Sequence, residues 1–89
     1  MYDYAFLEEQ LTSLISSNVG WLTRGEMNDV SEFTKVGEYG LAYETLCSII
    51  VERSKRITPQ MYSQLVELGQ KMGMAKDVWL KLQPHVTPE

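Results

Sequence analysis

The chain has 89 residues, of which 44% are apolar and 22% charged, and its 12 acidic and 8 basic side chains give a formal net charge of −4. That length excludes a two-domain enzyme and leaves little room for a deep substrate cavity, while the composition is that of a folded domain rather than a disordered tail. The charge is uneven, with residues 1–25 summing to −2, 26–52 to −5 and 53–89 to +3, so the middle of the chain would repel a phosphate backbone.

In chain order, Tyr4, Leu7, Leu11, Leu14 and Ile15 recur at spacings of three and four, which predicts an amphipathic first helix with Asp3 placed to cap it. Ser16, Ser17, Asn18 and Gly20 then supply turn chemistry, and Val19, Trp21 and Leu22 are apolar enough to pin the connection to a core. Thr23-Arg24-Gly25-Glu26 has the spacing of a capping box, with Leu22 and Met27 as a hydrophobic staple around it. The helix it opens is predicted to run to about Val36, burying Met27, Val30, Phe33 and Thr34 and ending at Gly37, with Asp29 and Glu32 on its outer face. Ala42, Tyr43, Leu46, Ile49 and Ile50 define the third and most apolar helix, with Glu44, Ser48 and Glu52 opposite.

Arg53-Ser54-Lys55-Arg56 breaks that pattern. Ile57-Thr58-Pro59 opens the next helix, with Thr58 as N-cap and Pro59 at the first helical position. Its buried stripe is Met61, Leu65, Leu68 and Met72, broadened by Tyr62, Val66 and Gly69, and Gly73 closes it. A short last helix over Asp77–Leu82 is anchored by Trp79 and Leu82, stopped by Pro84 and followed by a polar tail. No segment alternates with period two, so the expected architecture is all-α: one domain over residues 1–89, a compact bundle of four to five short helices.

The groups that could carry chemistry are few. Cys47 stands beside Leu46 and one turn from Tyr43 and Ile50, which reads as a buried small hydrophobe rather than a nucleophile. His85, in the tail, has no base or orienting carboxylate near it in sequence and is expected to be solvated. One Cys and one His cannot build a Cys/His metal cage or an internal disulfide. Paired carboxylates such as Glu8/Glu9 and Glu26/Asp29, on exposed helical faces, are poor acid–base catalysts. The dispersed glycines make no phosphate loop. The expectation is therefore a non-enzyme without cofactor, metal or small-molecule substrate. The N-terminal segment has no basic start or cleavage site and no run is long and apolar enough to span a bilayer, which predicts a cytoplasmic protein that contacts neither membrane nor nucleic acid.

What remains is the acidic middle: Glu26, Asp29, Glu32, Glu38, Glu44 and Glu52, with Lys35 as its single base and Tyr39 and Tyr43 among the charges. Aromatic anchors ringed by carboxylates suit the docking of a basic protein. Asp29, Glu32, Glu38, Glu44 and Glu52 are the candidate partners of Lys and Arg groups, with Tyr39 and Tyr43 as anchors. The alternative is an adaptor that docks a partner helix in a Met/Leu groove built around Met27, Met61, Met72 and Met74.

The run Gly37-Glu38-Tyr39-Gly40-Leu41-Ala42-Tyr43-Glu44-Thr45-Leu46-Cys47 resembles the characteristic stretch of the MafI-type immunity proteins. The frame around it is similar too: an acidic helix before it, Ile57-Thr58-Pro59 opening the next, Leu65, Leu68, Gly69 and Met72 along that helix, then Trp79 and Leu82. Tyr43 departs from the small aliphatic residue expected there. The resemblance implies a bacterial antitoxin that neutralises a cognate toxin C-terminal domain in contact-dependent growth inhibition. Many such toxins are nucleases, and a basic ribonuclease or deoxyribonuclease would complement the acidic middle.

Overall fold

Local chemistry at several helix ends explains where the elements of this fold begin and stop. The computed structural model describes residues 4–17 and 22–88, with side chains from residues 5–14 and 22–88. It contains α1 (Tyr4–Ser17), α2 (Arg24–Lys35), α3 (Tyr39–Glu52), α4 (Pro59–Lys71) and α5 (Lys76–Leu80), followed by a 3₁₀ turn over Gln83–His85. No strand is formed among the described residues, and the protein is all-α. Asp3, Val19, Trp21 and the turn at Asn18 and Gly20 lie outside the described residues, as do the side chains of Tyr4 and Ile15. The chain divides into two compact units, Met1–Leu46 and Cys47–Glu89, the division falling inside α3.

In the first unit, α1 continues through Ser16 and Ser17, which the sequence had suggested as turn residues; serine in a last helical turn costs only a few tenths of a kcal/mol. Its Leu7, Leu11 and Leu14 are buried, as is Leu22 ahead of α2. The capping box is present in full: the Glu26 N–H donates to Thr23 Oγ1 at 3.1 Å, and the Thr23 N–H donates to Glu26 Oε1 at 2.9 Å. Two of the four orphan amides of a helix start are answered this way. α2 packs against α1 and buries Val30 and Thr34, whose hydroxyl donates to the Val30 carbonyl at 2.9 Å. Met27 and Phe33 are only half-buried, so the apolar stripe of α2 is narrower than its sequence predicts. Ala42, Tyr43 and Leu46 of α3 are buried in this unit as well.

In the second unit, Cys47, Ile49 and Ile50 of α3 are buried together with Ile57, Met61, Leu65, Leu68, Met72, Trp79 and Leu82. Thr58 caps α4, its Oγ1 accepting the Met61 N–H at 3.1 Å, and Pro59 fills the first helical position, where a missing N–H costs nothing. α5 packs on α4. It ends at Leu80 rather than at the predicted Leu82, and the chain then tightens into the 3₁₀ turn over Gln83–His85 that contains Pro84.

Three helix ends share one geometry. After α2 the Glu38 N–H reaches the Phe33 carbonyl at 2.9 Å and the Gly37 N–H reaches Thr34 at 3.2 Å; after α4 the same two bonds join Met74 to Gly69 and Gly73 to Gln70. After α3 they join Lys55 to Ile50 and Ser54 to Val51. Each is a Schellman motif, which requires its turning residue in the left-handed region. Gly37 (φ 81°) and Gly73 (φ 70°) supply it at α2 and α4, but the turning residue at α3 is Ser54, at φ 50°.

The C-terminal tail is not the free polar segment its composition suggests. Ile57 and Val86 form a parallel bridge, in which the Ile57 N–H donates to the His85 carbonyl at 3.0 Å and the Thr87 N–H donates to the Ile57 carbonyl at 2.8 Å. The Thr87 hydroxyl reaches the same carbonyl at 3.2 Å. This strap answers both backbone groups of Ile57, a residue only 2% exposed.

Candidate functional site

The acidic residues divide by what their own helices ask of them. Glu26 is 8% exposed and committed to the capping box, so it is a structural carboxylate. Asp29 and Glu32 on α2, Glu38 just ahead of α3, and Glu44 on α3 are all exposed. Glu52 is exposed as well, but it belongs to the second unit. Divided in this way, residues 1–46 carry eight acidic side chains against two basic, net −6, and residues 47–89 carry six basic against four acidic, net +2. The asymmetry seen in the sequence thus follows the boundary between the units.

The two tyrosines part company. Tyr39 is half-buried, with its hydroxyl donating to Glu8 Oε2 at 3.5 Å. Tyr43 is fully buried and cannot serve as a surface anchor. Its place in the apolar spacing of α3 decides this: it stands one turn before Leu46 and Cys47, on the stripe that faces inward. The side chain that the sequence set among carboxylates is a core residue.

Folding also brings in a residue that sequence order leaves apart. Glu8, on α1, lines a surface cleft of about 180 Å³ with Thr12, Ser31, Thr34 and Lys35. The cleft therefore holds one carboxylate, one ammonium and three hydroxyls, and its Glu8 is the partner of Tyr39. Sequence order gave no signal for this pairing, since Glu8 and Tyr39 stand 31 positions apart. Lys35, the lone base of the acidic middle, is set within this cleft.

Other candidates take ordinary places. Cys47 is buried and forms no disulfide, and its burial is what its apolar neighbours predict. His85 is half-buried rather than solvated: its Nδ1 lies 3.2 Å from the Lys55 carbonyl, a geometry satisfied when Nδ1 carries the proton. Met61 and Met72 are buried and Met27 and Met74 half-buried, so the methionines contribute to the interior more than to an open groove. Among the described residues no three His, Cys, Asp or Glu side chains gather as a metal site, and no helix is long and apolar enough to cross a membrane.

The class these features define is an all-α protein whose first unit presents an acidic exterior. Comparison with protein-family models, curated proteins and solved structures returns no match for the chain.

Proposed function

We propose that this protein is a non-enzymatic immunity protein that binds a cationic toxin domain, a nuclease being the natural target, in the cytoplasm of the cell that makes both. The observation that carries the reading is the net charge of −6 on residues 1–46, with Asp29, Glu32, Glu38 and Glu44 exposed. A protein that holds a nucleic acid must present positive charge, and a surface that imitates phosphate speeds encounter with it and excludes its substrate. The resemblance of residues 37–47 to MafI-type immunity proteins supports the same reading from a separate direction. Tyr39, hydrogen-bonded to Glu8, is the aromatic contact in this arrangement, and Tyr43 has no part in it.

The test is co-expression with the C-terminal domain encoded by the adjacent toxin-type gene, scored by co-purification and rescue of growth. Reversing Asp29 and Glu32 together to Lys should slow association by about tenfold at low salt and flatten its salt dependence, with little effect on the dissociation rate. Association kinetics unchanged by that reversal would remove α2 from the interface.

A further inference from the structure

Among the described residues the large apolar side chains left exposed are Val36, at 69%, Leu41, at 46%, and Leu80, at 45%. A single exposed aliphatic residue carries no information. Val36 and Leu41 are different because of where their helices set them. On α2, Asp29 and Glu32 share a face, and Val36, the residue that caps the helix end, follows Glu32 at a spacing of four. Leu41 and Glu44 on α3, with Glu38 one residue ahead of the helix, follow at spacings of three. Each exposed aliphatic is thus accompanied by two exposed carboxylates at helical spacing, and the two segments are joined by the Schellman turn at Gly37.

We infer that Val36 and Leu41 are the apolar anchors of a docking surface whose occupant is a folded cationic protein, one that presents an apolar spot ringed by Lys and Arg. The inference rests on the acidic-surface reading above and adds the residues that hold the complex once charge has brought it together. An apolar centre with a polar rim is the usual build of a specific interface, with dissociation governed by the centre and association by the rim. Charge selects among the possible occupants. A second copy of this chain would set net −6 against net −6, and nucleic acid or an anionic lipid surface would be repelled in the same way. A cationic protein is the occupant that gains from both the carboxylates and the aliphatic pair.

The experiment compares the wild type with the V36S/L41S and D29K/E32K variants, first confirming that thermal stability and helix content are retained. Against the domain encoded by the adjacent gene, V36S/L41S should raise the dissociation rate by about tenfold or more and leave the association rate nearly unchanged, whereas D29K/E32K should act on association. Binding that tolerates V36S/L41S would overturn this inference while leaving the immunity reading intact. Should that domain not bind at all, the immunity reading fails, and the anchors are judged by NMR titration with two synthetic peptides of equal charge, one of Lys and Ser, the other of Lys and Leu. The expected result is that the Leu-containing peptide alone shifts the amides from Val36 to Leu41, and that V36S/L41S abolishes the difference. Identical responses to both peptides, or shifts elsewhere, would overturn the assignment.

Discussion

Gly37 and Gly40 lie three residues apart, and alanine at each should have opposite effects on stability. A Cβ built at either position meets nothing within 4 Å, so packing does not enter and the backbone alone decides. Gly37 sits at φ 81°, where an L side chain costs about 1–2 kcal/mol, while restricting the unfolded chain returns about 0.4–1 kcal/mol. Gly37→Ala should therefore lose about 1 kcal/mol. Gly40 lies inside α3 with helical backbone, where Ala is favoured by up to about 1 kcal/mol, less in a first turn. Ser54 runs the first argument in reverse: it already bears the left-handed penalty at φ 50°, so Ser54→Gly should gain about 0.5–1 kcal/mol. Urea unfolding read at two wavelengths gives the differences, with unchanged m-values required. For a domain of this length each kcal/mol corresponds to about 4–8 °C in Tm. A destabilising Gly40→Ala, or a Ser54→Gly variant no more stable than wild type, would refute the claim that left-handed backbone sets these three signs.

Tyr43→Ala should cost about 3–5 kcal/mol and Tyr43→Phe less, whereas Tyr39→Ala, at a half-buried site, should cost clearly less than Tyr43→Ala; equal melting losses for the two alanine variants would contradict their different burial. Thr23→Ala and Thr58→Ala each remove the side-chain acceptor of a helix start and should each cost about 1 kcal/mol in the same unfolding assay. Truncation after Pro84 strips both backbone partners from Ile57, and leaving a buried donor and acceptor unanswered costs about 1–3 kcal/mol apiece. The truncated chain should melt earlier and exchange the Ile57 amide faster. Retention of slow exchange there would mean that the strap is dispensable.

Features fixed by residues close in sequence were legible before any coordinates. Thr23 with Glu26, Thr58 with Pro59, and Gly37 and Gly73 each specify a helix end through bonds spanning at most five residues. The tail was not legible, because its partner Ile57 lies 29 positions from Val86 and a single parallel bridge leaves no periodic trace in sequence. Ser54 gave no signal either, since nothing in its type marks a residue that will turn left-handed. Tyr43 was legible but ambiguous. Its spacing with Leu46 and Ile50 predicted burial and its acidic neighbours suggested exposure, and the spacing prevailed because a helix turns whole side chains inward whatever the charge of the adjacent residues.

The same competition sorts the carboxylates. Glu26 and Glu32 occupy one helix and differ only in position along it, yet the first is drawn into the cap by an orphan amide and the second is left to solvent. A count of acidic residues therefore overstates the surface available for recognition until those engaged at helix starts are set aside. In the first unit the exposed carboxylates on α2 and α3 are then Asp29, Glu32 and Glu44, with Glu38 at the turn between the helices. These are the same residues that flank Val36 and Leu41 at helical spacing. Charge and exposed apolar surface, found by separate criteria, thus converge on the α2–α3 connection, which is why that connection rather than the whole acidic segment is the place to test for a partner.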